Sequence, residues 1–151
     1  GVPHGTGKDY NCLSGLSSSF GTAVFPSIGY DPVSVEPPAD YPWDWLKRML
    51  DIHRRAQPFF RGDFYPLLEH VHSNQCWGAM QFHRADLGQG MVVVYRRPGS
   101  PYVTARFPLQ GLAGDGVLDA GNSDEFKLEG NILEVHLDKS PAAAVAFYRV
   151  D

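Results

Sequence analysis

The chain has 151 residues, of which 43% are hydrophobic and 20% are charged, and this is the size and composition of one globular domain. Its formal net charge of −4 argues against a nucleic-acid partner and against an anionic membrane surface, since both bind basic faces. No apolar run approaches the roughly 18 residues that a membrane-spanning helix needs. We therefore expect neither nucleic acid nor a membrane as a partner.

The first part of the chain, residues 1–41, is rich in glycine, serine and proline, which favours loops over long regular elements. Within it, only residues 22–25 have the character of a short strand. Residues 5–8 (GTGK) invite comparison with a phosphate-binding loop, but Asp9 stands where that loop carries a magnesium-binding hydroxyl. We favour a plain glycine turn.

The clearest helix is predicted at residues 41–57. Asp40 is a good N-cap residue, and Pro42 fits the first turn, where its missing N–H is not needed. Pro58 is expected to end the helix. Four residues spaced i, i+3, i+4 and i+7 form one apolar stripe: Leu46, Met49, Leu50 and His53. A lone helix cannot bury such a stripe, so its partner is either the following sheet or a structure upstream.

An aromatic-rich stretch, residues 57–67 (QPFFRGDFYPL), leads from this helix into the second half of the chain. One interpretation is a structural strap, whose aromatic rings fill the junction between two layers. The other is an aromatic platform for a sugar. The strap is favoured, because the stretch follows a helix end, contains a Gly-Asp turn and runs directly into β structure.

From Cys76 onward the pattern changes to short segments rich in β-branched and aromatic residues. Hairpin connections are predicted at residues 86–90 and 98–101, and a further turn at residues 129–131 divides a long segment in two. The predicted strands are residues 76–83, 91–97, 102–109, 126–137 and 143–150. No helical pattern of 10 to 15 residues separates them, which argues against a parallel βαβ sheet and favours an antiparallel sandwich or small barrel.

For each residue that could be a metal ligand or a nucleophile, a purely structural role is the stronger interpretation. His70 and His72 alternate as two ligands on an extended segment would, and Glu69 or His83 would have to complete such a site. Scattered histidines are far commoner, so no metal and no cofactor is expected. No GxSxG sequence supports a nucleophilic serine, and the aspartates beside glycine or proline are those that turn formation alone would place.

The two cysteines, Cys12 and Cys76, have no CxxC spacing and are too few for a disulfide framework. We expect two reduced thiols in a cytoplasmic protein. A disulfide between them stays open at this stage, because the sequence says nothing about their distance.

Residues 57–112 carry a family resemblance. A helix running into "QPFFRGDFYPL", then "WGAMQFHRADLGQGMVVVYRRPGSPY" and "ARFPLQGL", resembles the C-terminal part of the melibiase-type α-galactosidases of glycoside hydrolase family 36. The matching residues include Gly62, Asp63, Tyr65, Pro66, Trp77, Gln81, Arg96 and Arg106. Residues 1–61 resemble more loosely the last βα unit of that family's (β/α)8 barrel, and residues 62–151 resemble its antiparallel C-terminal β-sandwich.

This resemblance implies that the chain is the end of a retaining glycoside hydrolase, with the sandwich packing against the catalytic barrel and stabilising it. The family's two catalytic aspartates lie on barrel strands upstream of everything that matches, so no catalytic residue is carried over. The residues expected at the junction between barrel and sandwich are Gly62, Asp63, Tyr65, Pro66 and Trp77. The implied partners are the barrel and, in the parent enzyme, an α-galactoside; a homo-oligomer stays open.

Two further expectations follow. If the helix at residues 41–57 is the last outer helix of an absent barrel, its apolar stripe should pack poorly or stay exposed in this chain. The alternative function is a stand-alone, non-catalytic sandwich that binds carbohydrate or another protein. Such a module should expose coplanar aromatic rings on one strand face, whereas Trp77, Phe82 and Tyr95 are predicted to face inward.

Overall fold

The computed structural model describes residues 39–69 and 73–151. Several sequence predictions lie outside the described residues: the strand at 22–25, the glycine turn at 5–8, and the side chains of Cys12, His70 and His72. Among the described residues, no helix has the length and apolar character needed to cross a bilayer.

The predicted helix forms as α1, Trp43–Ala56, and continues into a 3-10 helix, Gln57–Arg61. Its N-cap position is Pro42, and no side chain caps the helix, so the capping role expected for Asp40 was wrong. Pro58 does end the α-helix, but the chain keeps turning for another five residues. Proline is tolerated in the first turn of the 3-10 helix, because that position needs no N–H donor.

In the described residues, eight strands follow the helices, and they form two antiparallel sheets. One sheet has five strands in the order β1-β2-β3-β8-β5, and the other has three in the order β4-β7-β6. The strands are β1 Asp63–Pro66, β2 Trp77–Arg84, β3 Gln89–Arg96, β4 Thr104–Pro108, β5 Gly116–Leu118, β6 Phe126–Glu129, β7 Ile132–His136 and β8 Ala142–Val150. The predicted mainly β, antiparallel sandwich preceded by one helix is confirmed.

The five-stranded sheet is covered on both faces at its centre. In β3, the consecutive residues Met91, Val92, Val93 and Val94 are all fully buried. Successive side chains of a strand point to opposite faces, so a run of four buried residues requires a layer on each side. Val92 and Val94 face the three-stranded sheet, while Met91 and Val93 face the helices.

The inner layer is the core between the two sheets. Trp77 of β2 lies there beside Phe107 of β4, with ring centroids 6.2 Å apart. Leu133 and Val135 of β7 complete the facing surface. Trp77 therefore faces inward as predicted, whereas the buried Phe82 faces the helices and Tyr95 is only half-buried.

α1 forms the outer layer by packing on β8 and β3. Met49 is 2% exposed and contacts the cluster that contains Ala143 and Val145, and Ala56 is fully buried in the cluster around Phe147. The expectation that the helical stripe packs poorly was therefore wrong for Met49 and His53, which are buried, while Leu46 and Leu50 are half-buried. The sheet itself supplies the partner that a barrel was expected to provide.

Two turns behave as predicted and one does not. Gly88 and Gly130, both with positive φ, lie in the β2–β3 and β6–β7 turns, where residues without a Cβ are favoured. The connection at residues 98–101 is not a hairpin, because β3 and β4 belong to different sheets. The chain crosses there from one layer of the sandwich to the other.

Candidate functional site at the strap

The strap, which we define as residues 57–67, joins α1 to the edge of the five-stranded sheet. It begins with the 3-10 helix and ends in β1, whose residues pair with β2 from Asp63 opposite His83 to Pro66 opposite Met80. Gly62 sits at the bend between the two. A Cβ at this position would overlap the backbone carbonyl of His83, so the close approach of strap and sheet requires glycine.

The aromatic side chains of the strap pack onto the sheet. Phe59 is buried against Phe147, with ring centroids 5.9 Å apart. Phe60 and Phe64 each lie 5.2 Å from the ring of Phe82. These contacts favour the structural interpretation of the aromatic stretch, because Phe59 and Phe60 are used for packing against the sheet and only Phe64 keeps a substantial exposed fraction, 38%.

A polar cluster lies beneath β1, on the inner face of the sheet. Gln81 Nε2 donates hydrogen bonds to the Tyr148 hydroxyl at 2.7 Å and to the carbonyl of Gln110 at 2.8 Å, while Gln81 Oε1 accepts one from the Gln110 N–H at 2.8 Å. His83 Nδ1 lies 2.9 Å from the same Tyr148 hydroxyl. The cluster thus ties β2, β8 and the loop after β4 together.

Gly90 makes this arrangement possible. It lies in β3 directly between His83 of β2 and Tyr148 of β8. Because Gly90 has no side chain, the two rings meet across it and stack with an interplanar angle of 5°. A Cβ at Gly90 would overlap the Tyr148 hydroxyl.

Burial shifts the pKa of both titratable groups in the cluster toward their neutral forms. Removal from water lowers the pKa of His83, and the nearby charge of Asp63 opposes this only in part. Burial also raises the pKa of Tyr148 to about 12, against the opposing effect of the Gln81 hydrogen bond. Burial therefore favours the neutral form of both side chains.

The structure brings four of the five predicted junction residues together and places the fifth elsewhere. Gly62, Asp63, Tyr65 and Pro66 all lie within five residues of the strap, and the Tyr65 hydroxyl lies beside Gly111. Trp77 is at the opposite end of β2, where its Nε1 donates to the carbonyl of Tyr102 at 3.1 Å. Whether these residues form a junction with a barrel stays a prediction.

Arg96 anchors the end of the sheet near Trp77. Its guanidinium is buried and donates to the carbonyls of Leu137, Asp138 and Ser100 at 2.8 to 2.9 Å. The acceptors are backbone carbonyls in two loops that connect the sheets. Arg96 therefore holds the crossover in place, since each carbonyl would otherwise lose a charge-assisted hydrogen bond.

Sequence reasoning missed the role of Gln81, His83 and Tyr148. The signal was present for two of them: Gln81 and His83 are polar residues at inward positions of β2, a strand whose other inward residues are Trp77 and Ala79. Polar side chains on an apolar face must find hydrogen-bond partners when buried. Tyr148 gave no signal, because tyrosine at an inward position is also typical of an ordinary core.

The cluster is structural, because its polar atoms are turned toward one another. Gln81, His83 and Tyr148 are at most 2% exposed. In the part of the chain that the structure describes, no group of three histidine, cysteine, aspartate or glutamate side chains could hold a metal. Cys76 lies just before β2 and is half-buried. Because Cys12 lies outside the described residues, the state of the two thiols stays a prediction.

No protein-family model and no curated protein matches the chain, but solved structures do. A variant of the family 36 α-galactosidase AgaA from Geobacillus stearothermophilus, in complex with raffinose, is similar with a TM-score of 0.59 at 15% identity. The galactosidase domain of the α-galactosidase–sucrose kinase AgaSK is similar with a TM-score of 0.56 at 12% identity. The α-galactosidase from Lactobacillus brevis gives 0.53 at 18% identity.

The chain has the fold of the C-terminal domain of these α-galactosidases. Each comparison covers 80% of this chain but only 17% or 18% of the solved chain, so the chain spans less than a fifth of their length. The matched 80% of the 151 residues is a longer stretch than the sandwich, which comprises residues 62–151. The shared fold therefore extends beyond the sandwich into the part of the chain that carries α1.

Proposed function

We propose that this chain is the C-terminal, non-catalytic part of a retaining α-galactosidase-like glycoside hydrolase, and that its sandwich packs against the catalytic barrel and stabilises it. The observation that carries the proposal is the shared fold, which includes residues before the sandwich. The neighbours are named as α-galactosidases, and two of them hold raffinose or stachyose. The parent would act on terminal α-galactosides of this kind.

The packing of α1 supports a fixed relation between sandwich and barrel. α1 would be the last outer helix of the barrel, and it shares buried clusters with β3 and β8. A helix buried against the sheet in this way cannot move independently of it. The sandwich would thereby hold the end of the barrel, which is how a domain without catalytic residues raises the stability of its neighbour.

The alternative, a stand-alone carbohydrate-binding module, is less well supported by the two sheet faces. The outer face of the five-stranded sheet is largely occupied by α1 and the strap. The outer face of the three-stranded sheet carries charges, including an Arg106–Glu134 ion pair at 2.6 Å, and its strands expose no phenylalanine, tyrosine or tryptophan. Sugar rings usually stack on aromatic side chains, and among residues 39–69 and 73–151 neither face offers a platform of them.

The coding sequence upstream of Gly1 tests the proposal. We expect the reading frame to continue and to encode a barrel with two aspartates at the ends of its strands. A start codon directly before Gly1 would contradict this. On the 151-residue chain, titration calorimetry with galactose and raffinose should give no saturable heat, and saturable binding would favour the module instead. The expected cytoplasmic location stays a prediction.

A further inference from the structure

We propose that His83 is a pH switch with two positions: its neutral ring accepts a hydrogen bond from Tyr148, and its protonated ring turns to the carboxylate of Asp63 on the strap. Acidification would thereby exchange a contact with β8 for a contact with β1. The inference goes beyond the proposed function and does not depend on it.

The orientation of the Gln81 amide fixes the direction of the hydrogen bonds in the cluster. The backbone N–H of Gln110 can only donate, so the atom that it meets at 2.8 Å is the amide oxygen, Gln81 Oε1. The other end of the amide, Nε2, therefore donates to the Tyr148 hydroxyl at 2.7 Å. The hydroxyl oxygen accepts this bond and keeps its own hydrogen for a second partner.

That second partner is the ring of His83, whose Nδ1 lies 2.9 Å from the hydroxyl oxygen. Within the described residues, Gln81 and His83 are the two hydrogen-bond partners of the Tyr148 hydroxyl. Because Tyr148 is buried, the hydroxyl hydrogen needs an acceptor, and Nδ1 can accept it only as a bare nitrogen. The neutral ring of His83 therefore carries its proton on Nε2.

A protonated His83 does not fit this position. Both nitrogens of an imidazolium ring donate, so Nδ1–H and the Gln81 amide would point at the same hydroxyl oxygen. The hydroxyl hydrogen would then have no acceptor at a site where Tyr148 is 1% exposed. An unpaired polar group and an uncompensated charge are both costly when buried. Protonation therefore favours a position in which the ring meets a carboxylate.

Asp63 offers that carboxylate. It stands directly opposite His83 in the pairing of β1 with β2, and the Cβ atoms of such cross-strand partners are about 4.5 to 5.5 Å apart on the same face. Asp63 is exposed on an edge strand, so an ion pair there keeps water on one side and avoids the full cost of burial. Burial lowers the pKa of His83, and the charge of Asp63 already opposes this effect.

The other groups around the ring supply no competing charge. The β3 residue between His83 and Tyr148 is a glycine, and the loop residue beside the His83 ring is Gly111. Tyr65 of β1 lies on the same face, with its hydroxyl near Gly111. In the described part of the chain, the titratable side chains that face His83 are thus Asp63, Tyr65 and Tyr148, and the charge that acts on its ring is that of Asp63.

Nuclear magnetic resonance of the 151-residue chain with ¹⁵N-labelled histidine tests this assignment. At pH 8 we expect the His83 ring to carry a hydrogen on Nε2 and none on Nδ1, and His83→Gln identifies the signals of this ring by their loss. As the pH falls to 5, the cross-peaks between the rings of His83 and Tyr148 should be lost. Cross-peaks from the His83 ring to Asp63 should replace them, while the backbone signals of β3 stay in place.

Two variants should move the pH midpoint of this exchange in opposite directions. Asp63→Asn removes the partner of the protonated ring, so the midpoint should fall. Tyr148→Phe removes the partner of the neutral ring, so the midpoint should rise. Asp51→Asn is the matched control, because it makes the same change at an exposed carboxylate on α1, and it should leave the midpoint unchanged. If one of the two variants does not fold, the other decides.

Three results would overturn the inference. A His83 ring that stays on Tyr148 down to pH 5 would make it a purely structural histidine. A midpoint that responds to Asp63→Asn no more than to Asp51→Asn would remove Asp63 as the second partner. A hydrogen on Nδ1 at pH 8 would refute the direction of the hydrogen bonds. None of these results bears on the proposed function, which the upstream coding sequence decides.

Discussion

Replacement of Tyr148 by phenylalanine tests the polar cluster most sharply, because it removes one oxygen and keeps the ring. The hydroxyl makes two hydrogen bonds, at 2.7 Å to Gln81 Nε2 and at 2.9 Å to His83 Nδ1. Gln81 Nε2 keeps its bond to the Gln110 carbonyl, but His83 Nδ1 would be left without this partner at a buried site. The variant therefore loses more than a surface hydrogen bond would.

The expected cost follows from these two bonds. Each intramolecular hydrogen bond contributes about 1 kcal/mol to the free energy of unfolding, and a buried polar atom left unpaired costs about 1 to 3 kcal/mol. We expect Tyr148→Phe to lose about 2 kcal/mol, which corresponds to a fall in Tm of roughly 4 to 8 °C for a chain of this size. Differential scanning calorimetry at pH 7.5 measures the shift.

Tyr102→Phe is the matched control, since the Tyr102 side chain is 69% exposed. It removes the same atom from a solvated position, and its Tm should stay within about 1 °C of the parent, as is usual for surface substitutions. If Tyr148→Phe and Tyr102→Phe melted at the same temperature, the cluster would not hold the sheets together, and the reasoning from its hydrogen bonds would be refuted.

Three further predictions address the strap, the buried histidines and the crossover. Gly62→Ala should lower the free energy of unfolding in urea by about 1 to 3 kcal/mol, because the new methyl group meets the His83 carbonyl. An unchanged midpoint of urea unfolding would mean that the strap and the sheet move apart at little cost. Burial lowers the pKa of His53 and His83 below the value of about 6.5 that a histidine has in the unfolded chain. Their contribution to the free energy of unfolding is therefore complete above about pH 6.5 and is lost as the pH falls below about 6.5. Tm should therefore fall between pH 7 and pH 5, and less steeply in His83→Gln; a Tm that rises on acidification would contradict the assignment. Arg96→Met should lower the free energy of unfolding by about 3 kcal/mol, because it leaves three carbonyls unpaired. Arg106→Met removes an exposed ion pair and should lower the free energy of unfolding by at most about 1 kcal/mol in the same urea unfolding experiment.

The long strands were predictable from the sequence because their apolar residues favour only a buried environment. The run Met91–Val94 has to be buried on both faces, and residues 129–131 supply the turn that separates β6 from β7. These predictions were within two residues of the observed bounds for β2, β3, β4 and β8. The split of residues 126–137 into two strands was also foreseen.

The short strands were not predictable for a physical reason. β1 contains Asp63 and Pro66, which are both depleted in strands, and it forms because the strap is pressed against β2. β5 has only three residues and is paired by β8 alone in its sheet. In both cases tertiary contacts decide the backbone, and these contacts have no local signature.

Only the part of the candidate site whose residues are close together in sequence could be predicted. Gly62, Asp63, Tyr65 and Pro66 stand together because all four lie within residues 62–66 of the sequence. Tyr148 joins His83 because β8 and β2 are both neighbours of β3, and a sequence pattern without the strand order cannot show this. The position of α1 was misjudged for the same reason, since its partner β8 lies almost 90 residues further along the chain.

The proposed function is that this chain completes an α-galactosidase-like glycoside hydrolase without carrying out the chemistry. The most direct measurement compares the hydrolysis of a chromogenic α-galactoside by the 151-residue chain and by the longer polypeptide that we propose its coding sequence specifies. The account predicts turnover by the longer polypeptide and none by the chain alone. Turnover by the purified 151 residues, or an inactive longer polypeptide, would contradict it.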